Sequence, residues 1–212
     1  MIGVVDYGAG NLHSVKKALD FLGLANKIVT KCPEILEVDK IILPGVGAFG
    51  KAIQAIDERN LRKPLLETIM TGKPFLGICL GMQLLFESSA ESPGAHGLGI
   101  LKGTVIRFPA TLKVPHLGWN AVLQMTASPL WKQIPDESFY YFAHSYHVVP
   151  VDPKCIIGST DYGQVIPVAL ESDNLFGVQF HPEKSQKAGI QFLANFAGWQ
   201  PPPITQPGGK PL

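Results

Sequence analysis

The chain has 212 residues, 46% of them hydrophobic and 17% charged, with a net charge of +1. That is length enough for one domain with a full core. The near-neutral balance, without a Lys/Arg cluster, excludes an electrostatic nucleic-acid or anionic-membrane binder. No apolar run approaches the ~20 residues of a membrane helix, and the N-terminus lacks the charged-then-apolar pattern of a secretory signal.

The first half alternates strand and helix. Ile2-Gly3-Val4-Val5 reads as a buried strand and Gly8-Ala9-Gly10-Asn11 as a turn. Val15, Ala18, Leu19 and Leu22 then recur at helical spacing, and Gly23 stops the helix. The glycine turn resembles the start of a dinucleotide site, but His13 stands where the third glycine belongs and no ribose-binding acid follows, so no nucleotide cofactor is expected. Lys27-Ile28-Val29 and Lys40-Ile41-Ile42-Leu43 are the next strands. Residues 49–70 form helix in two pieces broken near Asn60. Phe75-Leu76-Gly77-Ile78 is the fourth strand.

That strand runs into Cys79, held between Gly77 and Gly81, and an apolar helix-forming run, residues 82–87, follows at once. A strand that turns sharply into a helix lifts the turn residue out of the sheet and exposes it, and the glycines let backbone pass without a Cβ clash. A helix starting there presents N–H groups and a positive dipole end that favour thiolate. Alone, a Cys after a strand is only a small hydrophobe. A nucleophile needs a base and an orienting anion. Both residue types occur in Phe180-His181-Pro182-Glu183, where extended backbone sets His181 and Glu183 on one side. Pro44-Gly45-Val46-Gly47 follows the third strand, so its side-chain-poor backbone lies beside Cys79 at the strands' carboxyl ends, where N–H groups can meet an oxyanion. Leu80 N–H is the other candidate donor.

The second half is strand-rich. Residues 105–108, 121–123, 139–142, 155–157, 165–170 and 175–180 read as strands, with a short helical piece at 130–133 and a closing helix at 186–196. This pattern predicts an α/β fold: a three-layer, open, mostly parallel sheet flanked by helices, with antiparallel additions in the C-terminal half. Residues 1–198 make the domain, and 199–212 are a Pro/Gly-rich tail expected to be disordered. Cys32, Cys79 and Cys155 are an odd, widely spaced set. They form neither a disulfide framework nor a metal motif, and they fit a reducing, cytoplasmic compartment. His144 and His147, three apart along a strand, would face opposite sides, so a metal site is not expected.

Taken together, the motifs resemble those of class I, triad-type glutamine amidotransferases. Asp6-Tyr7-Gly8-Ala9-Gly10-Asn11 and Pro115-His116-Leu117-Gly118-Trp119-Asn120 are similar to those of the glutaminase subunits of imidazole glycerol phosphate synthase, rather than of the anthranilate, carbamoyl phosphate, GMP or pyridoxal phosphate glutaminases. The resemblance implies Cys79 as nucleophile, His181 as base and then acid, and Glu183 as its orienter. It implies oxyanion donors at Leu80 and the Gly45-Val46 backbone. It places L-glutamine against Gly47, Gln83, Glu91, Ser145 and Tyr146, with no metal or cofactor. Asn11, Trp119, Asn120, Tyr141 and Lys184 would lie near a partner, the β/α-barrel cyclase subunit that completes a heterodimer. Read without the resemblance, Glu91 is an exposed loop carboxylate and Trp119 fits a core equally well. The Cys-His-Glu set alone also admits a glutaminase of another synthase, a stand-alone thiol amidase or peptidase, or a binding module with a decayed site.

Overall fold

The computed structural model describes residues 1–8 and 10–201. The first half contributes β1 (Ile2–Val5), α1 (Leu12–Phe21), β2 (Asn26–Val29), α2 (Cys32–Glu37), β3 (Lys40–Gly45), α3 (Phe49–Glu58), α4 (Arg62–Met70), β4 (Phe75–Cys79) and α5 (Leu80–Gln83). The rest contributes β5 (Phe86–Ser89), β6 (Leu101–Arg107), β7 (His116–Gln124), β8 (Ser138–His144), β9 (Tyr146–Pro150), β10 (Ile156–Asp161), β11 (Val165–Ser172), β12 (Leu175–Val178) and α6 (Gln186–Gly198).

The main sheet has nine strands in the order β2-β1-β3-β4-β12-β11-β10-β7-β8. From β2 to β12 the pairings are parallel, and from β12 to β8 they are antiparallel. Every residue of β3, β4 and β12 is buried, as a parallel strand covered on both faces requires. The helices divide between the two faces. Val15, Ala18 and Leu19 of α1 pack with Phe192, Leu193 and Phe196 of α6 on one side. Ile35, Ile53, Ile56, Leu65 and Ile69, from α2, α3 and α4, pack on the other. Each such buried side chain contributes roughly 1.5–3 kcal/mol. The expected break at Asn60 falls between α3 and α4, with Asn60 at φ 56°.

Three sequence expectations need correction. The apolar run after Cys79 does not continue as helix to Glu87: α5 ends at Gln83, and Phe86–Ser89 joins β6 and β9 in a separate three-stranded sheet. A short apolar run does not distinguish buried strand from buried helix by periodicity alone. Tyr146–Pro150 is a strand and Cys32–Glu37 a helix, neither of them expected. His144 and His147 do not lie on one strand facing apart. Ser145 separates β8 from β9, and both imidazoles pack on the Phe108 ring, at 5.2 and 5.0 Å between centroids. The expected tail falls, from residue 202 onward, outside the described residues.

The two glycines around Cys79 do what their spacing predicts. A Cβ on Gly81 would strike the Leu43 carbonyl, and one on Gly77 would come within 2.6 Å of the Gly81 carbonyl oxygen. The backbones of β3, β4 and α5 therefore approach one another more closely than any side chain allows. Gly81→Ala should lower stability in urea unfolding by about 2 kcal/mol or more through overpacking. Gly198→Ala, where no described residue lies within 4 Å of the new methyl, should be nearly neutral. Equal effects at the two positions would contradict this packing.

Candidate active site

Pairing of β4 with β12 sets the site. The two strands run parallel, with Gly77 opposite Gly177 and Ile78 opposite Val178. Cys79 thus leaves the sheet beside the segment that continues through Gln179 to His181. On its other side, Cys79 lies opposite Gly45 at the end of β3. Cys79 has φ 55° and ψ −109°, a region that costs a non-glycine residue about 1–3 kcal/mol. The elbow does not expose it: Cys79 is only 5% accessible and reaches solvent through a pocket. With a single turn of α5 behind it, the local N–H groups matter more than any long-helix dipole.

His181 Nδ1 lies 2.8 Å from Glu183 Oε1, and both side chains are essentially inaccessible. Asn11 Nδ2 donates a short hydrogen bond to the same carboxylate oxygen. Among the described residues, the Glu183 Oε2 atom has no hydrogen-bond partner. Burial alone would keep the His181 ring neutral. Hydrogen bonds and charge from Cys79 and Glu183 outweigh it and push the imidazolium up to about 10. The backbone stitches this turn to β8. His181 N donates to the Tyr141 carbonyl at 2.9 Å, Ser185 Oγ donates to the His181 carbonyl at 2.6 Å, and Tyr141 N donates to Ser185 Oγ at 3.0 Å.

A pocket of about 250 Å³ opens over the sulfur. Val46, Gly47, Cys79, Leu80, Gln83, Glu91, Ser145 and Tyr146 line it, so the residues expected around an amide substrate converge on one cavity. Gly45 lies just behind, in β3. Glu91 is half-buried rather than exposed, and its Oε2 accepts from Phe49 N at the start of α3, 2.7 Å away. Gln83 uses Nε2 twice, donating to the Tyr146 carbonyl at 3.1 Å and to Gln179 Oε1 at 2.9 Å. Its Oε1 makes no hydrogen bond among the described residues.

The chemistry of this cavity is that of a buried thiol with a charged imidazole beside it, and an amide, a carboxylate and two hydroxyls beyond. A family model described as glutamine amidotransferase class-I matches residues 3–198. This chain belongs to the class-I glutamine amidotransferases. It is 49% identical over 199 residues to the "Imidazole glycerol phosphate synthase subunit HisH" of Desulfitobacterium hafniense, covering 94% of each chain. It is 48% identical to the subunit of the same name from Methanocaldococcus jannaschii, covering 92% of this chain and 98% of that one. Among solved structures, it superposes on a "glutamine amidotransferase" with a TM-score of 0.74 at 20% identity, covering 93% of this chain and 99% of that one. It superposes on "PurLQS from Thermotoga maritima" with a TM-score of 0.75 at 20% identity, covering 92% and 96%. At those identities the structural likeness speaks to fold alone.

Against this amidotransferase frame, the residues expected at a partner surface divide. Asn11 is occupied by Glu183. Asn120 donates to the Asp161 carbonyl at 2.8 Å, within its own chain. Trp119, 46% accessible, stands edge-on to Tyr141, and Lys184 Nζ lies 5.6 Å from the Tyr141 ring centre. Trp119 is therefore a surface residue, not a core aromatic.

Sequence reasoning missed two features of the site. Gln179 is fully buried with its amide on the sulfur. His144 lines the pocket and makes a pair with His116, whose Nδ1 is 3.0 Å from His144 Nε2. His144 Nδ1 faces the Tyr146 carbonyl at 2.8 Å, so Nδ1 carries the proton and Nε2 accepts from His116. Burial holds His116 down to about 4 and His144 to about 3, so both are neutral near pH 7. The signal for Gln179 was a polar residue within the otherwise apolar run of residues 175–180.

A folded-state His181 near 10 has a consequence for stability. Above the ordinary value of 6.5 the unfolded chain releases a proton that the folded chain keeps. The stability from this group is complete below pH 6.5 and is lost as pH rises toward 10. In urea unfolding at about pH 6, 8 and 10, the gap between wild type and His181→Asn should narrow steadily. A gap independent of pH would contradict the charged imidazole.

Proposed function

We propose that this chain hydrolyses L-glutamine to glutamate and ammonia, as the glutaminase subunit of an imidazole glycerol phosphate synthase in histidine biosynthesis. The observation that carries the reaction is the buried Cys79-His181-Glu183 cluster opening into a pocket lined by the Gln83 amide, the Glu91 carboxylate and the Ser145 and Tyr146 hydroxyls. Gln83 Oε1 and the Glu91 carboxylate suit the α-ammonium of an amino acid. Near-50% identity across nearly the full length of HisH subunits supports the assignment to that synthase.

The cycle starts from thiolate and imidazolium. Cys79 sulfur attacks the side-chain amide carbon of glutamine. The tetrahedral oxyanion accepts from Leu80 N–H and from backbone N–H groups of the Gly45-Val46 segment. His181 gives its proton to the departing nitrogen, and ammonia leaves a γ-glutamyl thioester on Cys79. His181, now neutral, takes a proton from water as it attacks the thioester. Glutamate is released, and the ion pair is restored. Glu183 keeps the ring oriented and steadies its charge.

Ammonia released to neutral water becomes ammonium, which is no nucleophile. A dry route to a second active site removes that loss, and the surface supports one. Leu117 and Ala143 are paired across β7 and β8 and also line the pocket. Leu117, Trp119 and Phe139 are 64%, 46% and 60% accessible on the same two strands. A β/α-barrel cyclase seated on that apolar face would cover the pocket mouth. There it would receive ammonia and yield imidazole glycerol phosphate and an aminoimidazole carboxamide ribotide. A solitary thiol peptidase has less use for an apolar rim and a pocket sized for one amino acid.

Glutamate release should be slow for the isolated chain and rise by about tenfold or more with the cyclase partner and its nucleotide ligand, the scale of ordinary coupling between sites. Cys79→Ala in that complex should fall below about a thousandth of wild type while glutamine binding persists by calorimetry. Wild-type turnover in Cys79→Ala would refute the nucleophile. Cleavage of peptides in preference to glutamine would refute the substrate.

A further inference from the structure

The side chain behind the sulfur has no part in the mechanism so far. Gln179 lies just past β12, wholly inaccessible, with Nε2 3.5 Å from Cys79 Sγ and Oε1 2.9 Å from Gln83 Nε2. A buried amide is expected where something needs both its donor and its acceptor.

Its orientation follows from its neighbours. The Tyr146 carbonyl only accepts, and Gln83 Nε2 meets it at 3.1 Å, so the Gln83 amide has one orientation. The same Nε2 faces Gln179, which must answer with oxygen. The remaining end of Gln179, an N–H, is left against the sulfur. His144 Nδ1 pins the Tyr146 carbonyl from the other side at 2.8 Å. Reversing either amide would set donor against donor or acceptor against acceptor in a buried place.

We propose that Gln179 is a further catalytic residue, a fixed donor that hydrogen-bonds the Cys79 sulfur and ties its position to Gln83, the side chain that meets the substrate. The sulfur is also held in one direction before the amide arrives. The role in turnover rests on the glutaminase reading above; the contact with the sulfur does not.

Two readouts separate those claims. The first is the rate of Cys79 alkylation by iodoacetamide at fixed pH in the full chain, followed by peptide mass spectrometry, with Cys32 and Cys155 as internal controls. Gln179→Met keeps the volume and removes the donor, and alkylation of Cys79 should slow several-fold. The second is glutamate release in the complex with the cyclase partner. The same variant should lose kcat by roughly ten- to a hundredfold with KM nearly unchanged. A residue that only props Gln83 would instead raise KM and leave kcat. If Gln179→Met does not fold, Gln83→Met serves, since it removes the group that turns Gln179. Cys79 alkylation should then slow several-fold while KM rises. Alkylation unchanged in the folded variant overturns the proposal, as does a pure KM effect. Wild-type protein that shows the alkylation difference but releases no glutamate overturns the glutaminase reading and leaves the sulfur donor standing.

Discussion

One pairing holds the site together: β4 beside β12, parallel and in register from Phe75 with Leu175 to Ile78 with Val178. Cys79 and His181 are about a hundred residues apart in sequence, and nothing local brings them together. The two strands do so by ending at the same edge, with the long antiparallel excursion of the second half inserted between them in sequence. A slip in register along these two fully buried strands would part the sulfur from the imidazole. The close approach at Gly77 and Gly81 is what makes room for the tight turn at that edge.

Within the site, environment decides which histidine carries charge. His181 and His144 are both buried, and burial pushes both toward neutrality. His181 has a carboxylate and a thiol as neighbours and remains protonated. His144 has a backbone carbonyl and a second neutral histidine, and it loses its proton. The first histidine is equipped for proton transfer. The second serves as scaffold, fixing the Tyr146 carbonyl that Gln83 also uses. Asn11 belongs to the same economy of contacts. It sits at φ 76° before α1 and leaves its own helix uncapped to reach Glu183.

Much of this was legible in the sequence, for physical reasons. Fully apolar runs such as Phe75-Leu76 and Ile41-Ile42-Leu43 announce buried parallel strands, and glycines two residues either side of a Cys announce a tight turn between them. His-Pro-Glu does bring its imidazole and carboxylate together, but not as the extended backbone expected: His181 is extended and Pro182–Lys184 is a 3-10 turn, from which Glu183 reaches the ring. What stayed hidden depended on tertiary context. Phe86–Ser89 is strand only because β6 is there to pair with it. Glu91 looks like a loop carboxylate until α3 presents a free N–H to it. The partners of Gln179 come from α5 and the sulfur, a hundred residues away. Asn120 looks free for a partner until β10 supplies the Asp161 carbonyl.

The account stands on a covalent step at one sulfur. Its most direct test is to quench the complex with its cyclase partner in acid during turnover of labelled glutamine, and then to map the label. The expected result is a γ-glutamyl adduct on the peptide that contains Cys79, chased to free glutamate when the quench is delayed past substrate exhaustion. Turnover with no label on that peptide, or with label on another residue, would contradict it.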